Sequence, residues 1–82
     1  MIIKSPFVTE KVTGMIDSND TLEFLVNIRS TKPEIKKALE ELYDIDVLAV
    51  RTMITSRGEK KAVVKLAGEG SANELATRLG LL

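Results

Sequence analysis

From Thr21 to Ile28 the chain alternates: Leu22, Phe24, Val26 and Ile28 fall on one face, Glu23, Asn27 and Arg29 on the other. A period of two is what a half-buried strand requires. Thr31-Lys32-Pro33-Glu34 then opens a helix as a capping box, with Pro33 in the first turn, where its missing N–H is harmless. Ile35, Ala38, Leu39, Leu42 and Tyr43 follow at helical spacing as one apolar stripe. Lys36, Lys37, Glu40 and Glu41 take the wet face in i, i+4 pairs, and Asp44 ends the helix. Val47 to Thr55 reads as a second strand, with Leu48, Val50 and Ile54 on one side and Ala49, Arg51 and Met53 on the other. Ser56-Arg57-Gly58-Glu59 is a tight connection, and Lys60 to Leu66 returns with Ala62, Val64 and Leu66 inward and Lys61, Val63 and Lys65 outward. Gly68-Glu69-Gly70 breaks the pattern. Ser71-Ala72-Asn73-Glu74 reads as a second capping box, Ala72, Leu75, Ala76 and Leu79 as a short stripe, and Gly80 as its stop.

Nearer the start, Ile2-Ile3 reads as a short edge strand. Val8, Val12, Met15 and Ile16 are spaced helically, with Thr9 or Ser5 as N-cap and Gly14 as a weak point. The order is β–α–β–α–β–β–α. Strands and stripes can share one core only with the helices laid on a mostly antiparallel sheet. The expectation is an α+β fold: three to four strands with helices packed on them, a ferredoxin-like sandwich of two or three layers.

Composition narrows the function. The 82 residues make one domain, 1–82, with 44% hydrophobic and 29% charged residues and neither His nor Cys. The commonest neutral-pH base, thiol nucleophiles and thiolate metal sites are therefore missing. Glu40, Glu41 and Asp44 are the carboxylates nearest to a dyad and lie on the exposed side of a helix. No enzyme, cofactor, metal or small-molecule substrate is expected. No apolar run reaches a membrane span, and Met1-Ile2-Ile3-Lys4 is short for a signal peptide, so a cytoplasmic, membrane-free setting is expected.

The charge is neutral overall, 12 basic against 12 acidic side chains, but uneven. Arg51, Arg57, Lys60, Lys61 and Lys65 face one acid, Glu59, between Arg51 and Lys65, a local excess of four positive charges. Asp17, Asp20 and Glu23 stand without a base between Asp17 and Phe24. A local basic patch gains affinity for phosphates by releasing counterions. Turned outward together, five cations on a two-stranded ribbon would suit a polyanion. From charge alone, the plainer reading is a solvated face whose lysines guard a sheet edge. Lys4, Thr9, Glu10 and Lys11 form a second polar cluster, explained equally by capping or by phosphate contact. Tyr43 reads as a core-edge residue. Phe24 is on the buried register, which argues against an aromatic base-stacking sheet.

The residues also resemble a known family. Pro6-Phe7-Val8-Thr9-Glu10-Lys11 is similar to the Pro-x-x-Thr-Glu-Lys opening of large-subunit ribosomal protein twenty-three in its archaeal form. The likeness continues in order through Leu22–Val26, Thr31–Glu40, Leu42–Val47, Val50-Arg51-Thr52, Gly58–Leu66 and Ala76–Gly80. It implies a non-catalytic role: binding large-subunit rRNA beside the exit of the nascent-peptide tunnel, next to large-subunit protein twenty-nine, with an exposed surface for nascent-chain factors such as the signal recognition particle. By position, it implies RNA contact from Thr9, Glu10 and Lys11 and from Arg51, Thr52, Lys60 and Lys61 of the hairpin. With the charge pattern, the candidate set is Lys4, Thr9, Glu10, Lys11, Arg51, Thr52, Arg57, Lys60, Lys61 and Lys65.

Two departures qualify the likeness. The family often has Asn where this chain has Arg51, which moves the expected contact toward phosphate. Bacterial members carry a long basic hairpin loop that enters the tunnel, and Ser56-Arg57-Gly58-Glu59 is too short for that. The competing reading is a protein-interaction module without RNA binding, using an outer-face row of Ala49, Met53 and Val63.

Overall fold

The structure, a computed structural model, describes residues 1–7 and 19–81. The helix expected around Val8, Val12, Met15 and Ile16 lies outside the described residues. The strands are β1 (Ile3–Pro6), β2 (Thr21–Val26), β3 (Val47–Ile54) and β4 (Lys60–Leu66); the helices are α1 (Lys32–Tyr43) and α2 (Ser71–Arg78). The sheet is antiparallel throughout, in the order β1-β2-β4-β3. Strands β2 and β3 thus run parallel with β4 between them, and α1 makes the crossover. This is the expected α+β, ferredoxin-like arrangement.

One face of the sheet carries Ile3, Leu22, Phe24, Val26, Val47, Ala62, Val64 and Leu66, packed against Ile35 and Leu39 of α1 and Ala72, Leu75 and Ala76 of α2. Tyr43 is half-buried and stacks on Phe24, ring centroids 6.0 Å apart. The α1 capping box forms as expected: the Glu34 N–H donates to Thr31 Oγ1 at 3.3 Å and the Thr31 N–H to Glu34 Oε1 at 2.9 Å. The bond from the Thr31 backbone, more than any other cause, holds the Glu34 carboxyl below its ordinary pKa of 4.5. Asp44 closes the helix with a left-handed backbone, φ 54°.

The structure departs from the sequence expectations at several places. Strand β2 stops at Val26, because the Asn27 side chain starts a turn by accepting the Arg29 N–H at 2.9 Å; Ile28 is left 54% exposed. Leu42, at the margin of the α1 stripe, is 61% exposed. The β3–β4 ladder shifts register between Val47 and Ala49, which turns Leu48 outward, 62% exposed, instead of into the core. Ile54 pairs with Lys60 at the end of the sheet and is also exposed.

Ser71 does not form a capping box. Gly70, at φ 80°, occupies the N-cap, and the Ser71 hydroxyl donates to Gly68 O at 2.7 Å. A distant residue caps α2 instead: Asp20 Oδ1 accepts the Ala72 N–H at 3.3 Å, and the Asp20 carbonyl accepts the Leu66 N–H at 2.9 Å. Gly80 ends α2 as expected. The Leu81 N–H reaches Ala76 O at 2.8 Å and the Gly80 N–H reaches Thr77 O at 3.1 Å, a Schellman motif.

Candidate nucleic-acid interface

The hairpin forms because Thr55 and Glu59 close a three-residue loop. The Thr55 N–H donates to Glu59 O at 2.7 Å and the Gly58 N–H to Thr55 O at 2.9 Å, with Gly58 at φ 80°. Arg57 stands exposed in this turn.

Register decides where the other cations go. The face opposite the two helices carries Thr21, Glu23 and Leu25 of β2, Lys61, Val63 and Lys65 of β4, and Ala49, Arg51 and Met53 of β3. Arg51 lies opposite Val63, so both lysines are its diagonal neighbours, at roughly 7–8 Å. Arg51 and Lys65 are exposed, and among the described residues neither has an ionic or hydrogen-bonding side-chain partner.

Lys60 and Thr52 fall on the helix side, in register with Val26 and Ile54, and with Ala62, respectively. The Lys60 ammonium donates to Ser30 O at 2.6 Å and ties the hairpin to the turn before α1. Lys61 shares the outer face with Arg51, but its Nζ lies 2.9 Å from Glu23 Oε1 and 5.2 Å from the centroid of the Phe7 ring. The approach to Glu23 is ionic and off hydrogen-bond alignment. The Glu23 side chain is only 4% exposed and that of Lys61 19%. Removing one partner of such a pair strands a buried charge, at about 3–5 kcal/mol for a fully desolvated pair.

The expectation of five cations turned outward together is therefore corrected. Lys60 points to the other face, Lys61 has an internal counter-ion, and among the described residues Arg51, Arg57 and Lys65 have no side-chain partner. Lys4 is exposed at a β1 irregularity, away from the hairpin. Thr9, Glu10 and Lys11 lie outside the described residues. The apolar row of Ala49, Met53 and Val63 is broken, because Val63 is 5% exposed while Met53 is 43% exposed. Sequence reasoning missed Glu23: alternation gives its face, not its burial. For Lys60 the signal was present, since the period that turns Ala62 inward also turns Lys60 inward.

Negative charge gathers elsewhere. Asp44, Asp46 and Glu74 line a cavity of about 180 Å³ between the end of α1 and α2, where Arg78 donates to Tyr43 O at 3.3 Å. Among the described residues no cluster of His, Cys, Asp or Glu could hold a metal ion, and no helix is long and apolar enough to cross a membrane.

The profile of the family described as Ribosomal protein L23 matches residues 1–73 of the chain. The chain belongs to that family. Membership makes it a structural constituent of the large ribosomal subunit, within the cytoplasmic translation machinery, among rRNA and ribosomal proteins. The family is structural rather than enzymatic.

Proposed function

We propose that the chain binds large-subunit rRNA through the outer face of β3 and β4, with Arg51 and Lys65 on backbone phosphate and Arg57 extending the contact at the turn. One observation carries this reading: Arg51 and Lys65 are exposed, without a partner among the described residues, and diagonal to each other on the β3–β4 ladder. Two like charges at that spacing repel, and an anion between them removes the repulsion. Thr9, Glu10 and Lys11 supply a second contact from the N-terminal motif, as the family likeness implies, and Lys4 extends it as the exposed cation of the same polar cluster. The same likeness supports a place beside the tunnel exit, next to ribosomal protein twenty-nine, with the signal recognition particle docking on the exposed surface. The exposed Met1 and Leu42, which line a groove with Ala38, support a protein-facing side distinct from the cationic one. The short hairpin turn supports the archaeal form and no entry into the tunnel.

The test is charge reversal. Arg51→Glu with Lys65→Glu should abolish binding to the cognate rRNA fragment and remove the chain from salt-washed large subunits. Parental affinity at low salt in the double variant would refute the assignment.

A further inference from the structure

We infer that Glu23 keeps Lys61 out of the phosphate-binding footprint, so that the outer face engages polyanion through its unpaired cations only. This rests on the rRNA reading above and specifies which of the hairpin lysines and arginines take part. Lys61 is flanked in register by Leu25 on β2 and Met53 on β3, and Glu23 is one diagonal step away on β2. Pairing with Glu23 at 2.9 Å therefore draws the ammonium toward β2 and away from Arg51 on β3.

Three features hold it there. Glu23 is buried, and among the described residues Lys61 is its only cationic partner. Moving Lys61 to a phosphate would leave that carboxylate buried and uncompensated. The ammonium also lies over the Phe7 ring, a second attraction that a phosphate contact would forfeit. Finally, the Lys61–Glu23 pair is neutral as a unit. It has no excess charge to exchange for counterions, and a phosphate approaching Lys61 meets the Glu23 carboxylate as well.

Glu23 is thus a residue that defines the footprint without touching RNA. It also removes one of the two cations diagonal to Arg51, so that Arg51 and Lys65 stand on the ladder without a third like charge beside them. A count of basic residues in the hairpin overstates the number of phosphate contacts by Lys60, held on Ser30, and by Lys61.

The experiment measures affinity for the cognate large-subunit rRNA fragment by fluorescence anisotropy between roughly 50 and 300 mM KCl, reading the log–log salt slope, where each phosphate contact contributes about 0.7–0.9. Arg51→Ala and Lys65→Ala should each flatten the slope by about one contact. Glu23→Gln, which frees Lys61, should steepen it by about one contact and raise affinity at low salt. The pairwise replacement Glu23→Gln with Lys61→Met should restore the parental slope, and it remains informative if Glu23→Gln alone fails to fold. A double variant that loses one contact, or a folded Glu23→Gln with the parental slope, would overturn the inference. If neither Arg51→Ala nor Lys65→Ala moves the slope, the rRNA reading of this face fails instead, and the two failures are distinguishable.

Discussion

Asp20 is the residue on which α2 depends for its start, and its backbone makes that dependence measurable. Gly70, the residue at the N-cap, has no side chain to offer, so the first-turn N–H of Ala72 is met by Asp20 Oδ1 from 52 positions away in sequence. Asp20 does this from a left-handed backbone, φ 49°. Two terms follow. Loss of a capping side chain costs about 1 kcal/mol, within a range of roughly 0.5–2. Placing a residue other than Gly, Asn or Asp in the left-handed region adds about 1–2 kcal/mol. Asp20→Ala incurs both and should destabilise by about 2–3 kcal/mol. Asp20→Gly loses the cap but relaxes the backbone, so its cost should be near 1 kcal/mol or less. Asp20→Asn keeps an acceptor and tolerates the conformation, giving up only the charge–dipole attraction of about 0.3–1 kcal/mol. The expected order of stability is parent, Asn, Gly, Ala. Urea unfolding followed by far-UV circular dichroism reads it directly, with 1 kcal/mol corresponding to about 4–8 °C in Tm for a domain of this size. Equal midpoints for the Gly and Ala variants would refute the backbone argument, and an unchanged midpoint in Asp20→Ala would refute the cap.

Helix α1 gives further expected outcomes. Thr31→Ala should lower stability by about 1 kcal/mol at neutral pH through loss of the N-cap. Because the folded-state pKa of Glu34 is lowered, the carboxylate's share of the capping box is complete above the ordinary value of 4.5 and disappears as pH falls through the lowered one. The urea midpoints of parent and Glu34→Ala should therefore converge at acid pH, and a gap that widens there would contradict the linkage. Leu39→Ala should cost about 2–5 kcal/mol, because Leu39 is wholly buried in the core. Leu42→Ala, on the same stripe but 61% exposed, should stay within about 0.5 kcal/mol by the same denaturation assay.

What was legible in the sequence was what is local. The α1 capping box, the Gly80 stop, strand β4 and the tight turn at Gly58 each depend on residues within a few positions of one another, and all are present in the structure. What escaped were features made by register and by distance. A bulge of one residue after Val47 was enough to turn Leu48 from the core to solvent. Ser71 and Glu74 have the spacing of a capping box, yet the left-handed Gly70 and the remote Asp20 took the cap from them. Glu40, assigned to the wet face, reaches across to accept the Val47 N–H at 3.0 Å and anchors the start of β3. At the candidate interface, charge density located the hairpin, but only strand register separated Lys60 from Lys61 and both from Arg51.

That separation bears on how a chain of zero net charge can serve a polyanion. Interactions between exposed charges fade over a Debye length of about 8–10 Å at physiological salt. The phosphate backbone therefore responds to the few cations within that range, not to the total. Here two basic residues of the hairpin are engaged internally: Lys60 on a backbone carbonyl and Lys61 on a buried carboxylate. Their charge goes into joining β4 to the turn before α1 and to β2. Meanwhile the carboxylates of Asp44, Asp46 and Glu74 line a cavity between the end of α1 and α2, on the helix side of the sheet. Under the proposed rRNA contact, affinity comes from the local cations Arg51, Arg57 and Lys65 and not from the net charge, which is zero.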